Sequence, residues 1–283
     1  MPIDMHSHIW QDQLGKLPNY LDAIGASGVE RSVVLVLESW SREVTPGEVW
    51  SGAGNNYVAE CVTQHPERLI HFGTLPPQLD DAPDMLEDLV KRFPAMKGLK
   101  LHPAIQGFDP ATPPVTRFVR KAAELGLPIT IHAGDVGWVG RLAYNDPYYL
   151  DDLATNVPDA TLIVAHGGAT PIVPWIVARH PNVLMDTAYA PNWPSLPPFG
   201  WKFQCVNEDL VDFLGSRKIV YGTDMNPVIA AHSTQMRHLP DDDLADDPAV
   251  IAREGIRAIE GLHISDNDKY MILQGNAERL LGL

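Results

Sequence analysis

Cysteine is scarce in this chain. Two thiols, Cys61 and Cys205, stand far apart among 283 residues and form no CxxC pair. A disulfide scaffold needs dense cysteine, so that class is excluded and reduced thiols are expected. Positive charge is scarce too: 21 basic against 36 acidic residues leave a formal net charge of −15. A surface of that sign repels phosphate backbones and argues against nucleic-acid binding. No apolar run approaches the roughly 18 residues of a membrane span. No basic, apolar leader precedes the first strand-like run. These absences predict a soluble cytoplasmic protein that engages neither nucleic acid nor membrane.

What is present is an ordinary globular share of apolar residues, 45%, gathered into eight short runs rich in Val, Ile and Leu. They are 3–8, 31–37, 69–75, 96–102, 128–134, 161–167, 183–188 and 218–224. Continuous rather than alternating apolarity marks parallel strands buried on both faces. Amphipathic stretches of helical length lie between them. In 113–126, Val115, Phe118, Val119, Ala122 and Leu125 recur at spacings of three and four. That stretch opens at Thr112-Pro113, a cap followed by proline at the first helical position, and stops at Gly126. Alternating strands and helices without a composition break predict one α/β domain over 1–283, a single (β/α)8 TIM barrel. The alternative is a doubly wound open sheet. Two segments depart from the repeat: residues 190–205, dense in proline and aromatics, and residues 240–248, which carry five aspartates. The first is expected to be a wall or lid over the site, or else a stiffened surface loop.

Four of the runs end in a metal-binding side chain. His6 and His8 close the first, His132 the fifth, His166 the sixth and Asp224 the eighth. Side chains two apart on a strand point to one face, so His6 and His8 can grip one cation together. Imidazoles and a carboxylate suit a zinc-like ion with an open position for water. A short His pair alone is weak evidence. Ligand types at the C-terminal ends of several strands are stronger, because barrel enzymes keep their chemistry there.

The segments Asp4-Met5-His6-Ser7-His8, Gly98-Leu99-Lys100-Leu101-His102-Pro103, Ile131-His132-Ala133-Gly134, Ala165-His166-Gly167-Gly168 and Tyr221-Gly222-Thr223-Asp224, with the ending Gly275–Leu283, resemble the amidohydrolase superfamily. The likeness is to its amidohydrolase-2 group, which includes aminocarboxymuconate-semialdehyde decarboxylase and aromatic-acid decarboxylases. It implies that His6, His8, His132 and Asp224 hold one divalent ion, zinc first and manganese second. It implies His166 as general acid/base or electrophile, and Asp224 as both ligand and proton carrier for a water acidified by the ion. Asp4 shares the His6 and His8 face and is expected either to fix an imidazole or to anchor the strand by hydrogen bonds.

Lys100 and His102 are expected to bind substrate. In binuclear superfamily members a carboxylated lysine ends strand 4, but here His102 is read as the last strand residue, so an uncarboxylated Lys100 is expected. Trp10, Trp40, Trp138 and Trp193 follow predicted strands, and Trp10 and Trp138 are expected to line a flat or apolar substrate. The leading functional expectation is a hydrolase of a small carboxylate-bearing or cyclic molecule such as a lactone, amide or ester. A non-oxidative decarboxylase comes second and a non-catalytic binding barrel third. The expected partner is a small molecule, with a homo-oligomer left open.

Overall fold

The computed structural model describes residues 1–9, 17–38, 52–134, 141–167, 170–188, 206–225 and 248–283. Its strands are β1 (Ile3–Ser7), β2 (Arg31–Leu35), β3 (Leu69–Gly73), β4 (Gly98–Leu101), β5 (Ile129–His132), β6 (Leu162–Ala165), β7 (Val183–Asp186) and β8 (Ile219–Val220). Each falls inside one of the expected apolar runs, and they join one sheet in sequence order. The last strand segment returns to the first. Met5 N donates to Tyr221 O at 2.9 Å, and Ser7 bridges Met225 in parallel. Parallel strands in sequence order, with the last bonded to the first, are the (β/α)8 barrel topology. A doubly wound sheet would reverse its strand order, so the open alternative is excluded.

Burial explains the apolar runs: every residue of β1 and of β3 through β8 is buried. The helices are α1 (Leu17–Ser27), α2 (Ala53–Gln64), α3 (Ala82–Arg92), α4 (Pro103–Gln106), α5 (Pro113–Glu124), α6 (Tyr148–Asn156) and α7 (Val173–Arg179). Then come α8 (Glu208–Leu214), α9 (Pro248–Glu260), α10 (Asp266–Tyr270) and α11 (Asn276–Leu281). In α5 the buried stripe is Val115, Phe118, Val119 and Ala122. Each large apolar side chain fully buried there contributes about 1.5–3 kcal/mol. Leu125 was expected on that stripe, but it sits past the last turn as the C-cap and is exposed. Thr112 has the extended backbone of an N-cap, yet its hydroxyl donates to Asp109 O at 3.0 Å and does not cap the helix. Gly126, at φ 70, makes the left-handed turn out of the helix that a side chain would resist.

The chain resolves into two compact units. The first comprises Met1–Val34, Glu60–Ile70 and Asp186–Leu283. Inside it, the Tyr20 hydroxyl lies 2.6 Å from both Ser7 Oγ and Ser32 Oγ, and Ser32 Oγ reaches Asp4 Oδ2 at 3.3 Å. The second comprises Leu35–Ala59 and His71–Met185. There Asn55 brackets Thr74, accepting from its N at 2.9 Å and donating to its O at 2.8 Å. These buried groups are paired as burial demands. Among the described residues no helix is long and apolar enough to cross a membrane.

Candidate metal centre and histidine cluster

In the first unit the sequence motif folds into a convergent donor set. Asp224 N donates to His6 O at 2.7 Å, so the β1 backbone itself places the aspartate. His6 Nε2 and His8 Nε2 stand 3.4 and 3.3 Å from Asp224 Oδ1. All three donor atoms lie within 4.8 Å of one another. Two donors each about 2.1 Å from a shared tetrahedral ion stand roughly 3.4 Å apart. A direct imidazole–carboxylate hydrogen bond closes to about 2.7–2.9 Å. The observed spacing therefore fits donors arranged around a cation better than donors bonded to each other, and nitrogen plus carboxylate oxygen suits zinc or manganese.

Asp4 and Asp186 support this set differently. Asp4 is fully buried, and burial pushes its carboxyl up to about 7, against hydrogen bonds from Thr223 and His6 that lower it. Its oxygens accept from His6 N at 2.9 Å, Thr223 N at 3.0 Å and Thr223 Oγ1 at 2.6 Å. It thus anchors backbone and hydroxyls, the second of the two roles expected for it. The carboxylate that meets an imidazole is Asp186, the last residue of β7, with Oδ2 2.7 Å from His6 Nδ1. Asp186 is absent from the sequence expectations. The signal that marked the other residues, a donor closing a strand, was present in Val183–Asp186.

In the second unit three histidines gather. The His102 and His132 rings stack with centroids 3.9 Å apart and planes 7° from parallel. His166 meets His132 edge-on at 4.9 Å and 62°. His132 is the final residue of β5, and its carbonyl accepts from the buried Tyr149 hydroxyl. Leu101, not His102, ends β4. His102 instead caps α4, accepting weakly from Ile105 N at Nδ1, because Pro103 occupies the first helical position. Gln106 holds the His102 backbone through a 2.7 Å bond and donates to Thr74 Oγ1 at 2.8 Å, which in turn donates to Lys100 O at 2.7 Å. Lys100 is buried. Trp10, Trp40, Trp138, Trp193, Cys205 and the stretch 190–205 lie outside the described residues.

His166 and Asp224 share one further feature. Both adopt left-handed backbone, at φ 54 and 58, the non-glycine residues to do so among those described. Such conformations cost about 1–3 kcal/mol each and persist where the surroundings hold them, commonly at functional sites. His166 directly follows β6, and Asp224 lies four residues beyond β8.

The Amidohydrolase family model matches residues 3–283. The chain belongs to the amidohydrolase family. No curated protein matches the sequence. Among solved structures the chain resembles 5-carboxyvanillate decarboxylase from Novosphingobium aromaticivorans, which holds manganese and 4-hydroxy-3-methoxy-5-nitrobenzoic acid. The TM-score is 0.67 at 14% identity, covering 100% of this chain and 96% of that one. It resembles 2,6-dihydroxybenzoate decarboxylase from Rhizobium at TM-score 0.65 and 15% identity, covering 99% and 98%. It also resembles a probable 2-pyrone-4,6-dicarboxylic acid hydrolase from Acinetobacter baumannii at TM-score 0.64 and 13% identity, covering 100% and 99%. At these identities the likeness shows the shared barrel fold.

Proposed function

We propose that this amidohydrolase is a metal-dependent, non-oxidative decarboxylase of an aromatic or unsaturated carboxylic acid. The observation that carries the metal dependence is the convergence of His6, His8 and Asp224 at ion-sharing distances. The preference for decarboxylation over the hydrolysis first expected comes from the named neighbours. Two of the three are decarboxylases of hydroxylated or methoxylated benzoates.

When bound, a divalent ion supplies Lewis-acid attraction for substrate oxygens. The chain's own groups handle the proton. His166, or the Asp224 carboxyl, delivers a proton to the carbon that bears the carboxylate. The carbon–carbon bond then breaks, its electron pair returns to the unsaturated system, and carbon dioxide leaves. Proton in and carbon dioxide out balance the step without an oxidant. Lys100 and His102 are assigned to the substrate's anionic groups; His132 is assigned to the ion, as the family resemblance implies.

A second reading, hydrolysis of a lactone or related ester by water, keeps the same ion and rests on the pyrone-dicarboxylate neighbour. Isotopes separate the two. Turnover of hydroxylated benzoates in deuterium oxide is expected to place one deuterium on the carbon that lost its carboxylate and to release carbon dioxide. Turnover of a lactone with oxygen-18 from water entering the product, and no carbon dioxide from any acid, would establish the hydrolase instead.

A further inference from the structure

We infer that Asp186 is a positioning residue for the metal centre, acting through His6. The inference rests on the metal-centre reading above and concerns a residue that reading does not use. Three observations converge on it. The His6 Nδ1 to Asp186 Oδ2 separation is 2.7 Å, the length of a strong imidazole–carboxylate bond, and both side chains are wholly buried. A carboxylate accepts, so Nδ1 donates, and the ring's other nitrogen, Nε2, presents its lone pair on the side where Asp224 stands 3.4 Å away. A metal-binding histidine held by a carboxylate at its second nitrogen has its tautomer and ring plane fixed before the ion arrives.

The second observation is how firmly Asp186 itself is held. Its other oxygen, Oδ1, accepts from Ala188 N at 3.0 Å. The next residue, Thr187, is tied to the Gly222 backbone in both directions, donating to its O at 3.1 Å and accepting from its N at 3.0 Å. The carboxylate therefore enters the pair already oriented.

The third observation is the gap that lets the pair form. A Cβ at Gly222 would stand 3.0 Å from His6 Cβ and 3.4 Å from Asp186 Cβ. Position 222 is open to the His6 and Asp186 side chains because it carries none of its own. Glycine here serves close approach; its backbone is not in the left-handed region.

The test is metal affinity, read without turnover. Metal-free protein is titrated with Zn2+ or Mn2+ against a chromophoric chelator, with thermal melting of the metal-free form alongside. Asp186→Asn is expected to bind either ion about 10- to 100-fold more weakly. In a His6→Ala background, Asp186→Asn should add little further loss, because the residue acts through the imidazole. Unchanged affinity in Asp186→Asn would overturn the inference, as would a full further loss in the His6→Ala background. If Asp186→Asn does not fold, Asp186→Glu carries the test. Its longer arm displaces the imidazole, so weaker binding supports positioning and wild-type affinity overturns it. Wild-type protein that binds neither ion would instead overturn the metal-centre reading, and this inference with it.

Discussion

The two histidine groups of this barrel are built on different physical terms. In the first unit His6 is gripped by one carboxylate at 2.7 Å and approached by a second at 3.4 Å, while His8 shares that second one. In the second unit His102, His132 and His166 are arranged by ring contacts with one another. The His102 backbone is held by Gln106 and the His132 carbonyl by Tyr149. Carboxylates fix which nitrogen of an imidazole faces an ion, and that is the demand on a ligand. Ring contacts fix the plane of an imidazole through its faces and edges. That suits a group that must give a proton or bind an anion. The function proposed above gives cation binding to the first group and proton and substrate handling to His166 and His102.

The sharpest way to break that contrast is His166→Asn. The variant is expected to keep its metal and its fold while kcat falls by about 10²–10⁴, the worth of a positioned acid/base. Metal stoichiometry measured beside kcat decides it. Parallel loss of metal and rate, partly restored by added metal, would move His166 into the ligand class.

A second contrast concerns acid. His71 on β3 is buried against the Phe93 ring, and burial lowers its pKa from 6.5 to about 4. Between those values the unfolded chain binds a proton that the folded chain refuses. Stability contributed by the neutral ring is therefore whole above about 6.5 and is lost as pH falls toward 4. The loss amounts to about 3 kcal/mol on the folding equilibrium. Urea titrations at pH 7 and at pH 4.5 should show it in wild type and show a flatter dependence in His71→Phe. Equal pH dependence in the two proteins would contradict the assignment.

The smallest effects compare the scaffolds of the two groups. Asn276 donates to Ser216 O and Ile219 O, both at 2.7 Å, and so ties the entry to β8 upstream of Asp224. Gln106 does the equivalent work for His102. Asn276→Ala and Gln106→Ala should each destabilise the fold by about 1–3 kcal/mol by orphaning buried backbone groups. The first should also weaken metal binding; the second should raise KM and leave metal content intact. Chemical denaturation with metal analysis reads both.

Much of this was legible in the sequence, for a physical reason. Strands buried on both faces must be apolar throughout, so each strand lay within a run of Val, Ile and Leu. Donors breaking those runs at their ends marked His6, His8, His132, His166 and Asp224. Pattern reading failed where tertiary contacts decide. Asp4 and Asp186 look alike as isolated aspartates. Only the fold shows that one anchors backbone N–H groups and the other an imidazole. The apolar run reaches His102, but Pro103 starts a helix there and makes it a cap. The left-handed turns at His166 and Asp224 are not marked by sequence, since Asp and His are enriched in that region but mostly adopt ordinary backbone. Hydrolase and decarboxylase use one ligand set, so the sequence does not separate them.

On the function proposed above, His6, His8 and Asp224 hold a cation. Elemental analysis of purified wild type and of the His6→Ala/His8→Ala double variant tests it most directly. Wild type should carry about one divalent ion per chain, with no carbamate on Lys100, and the double variant should carry almost none while keeping wild-type circular dichroism. An undiminished metal content in the folded double variant would contradict the account.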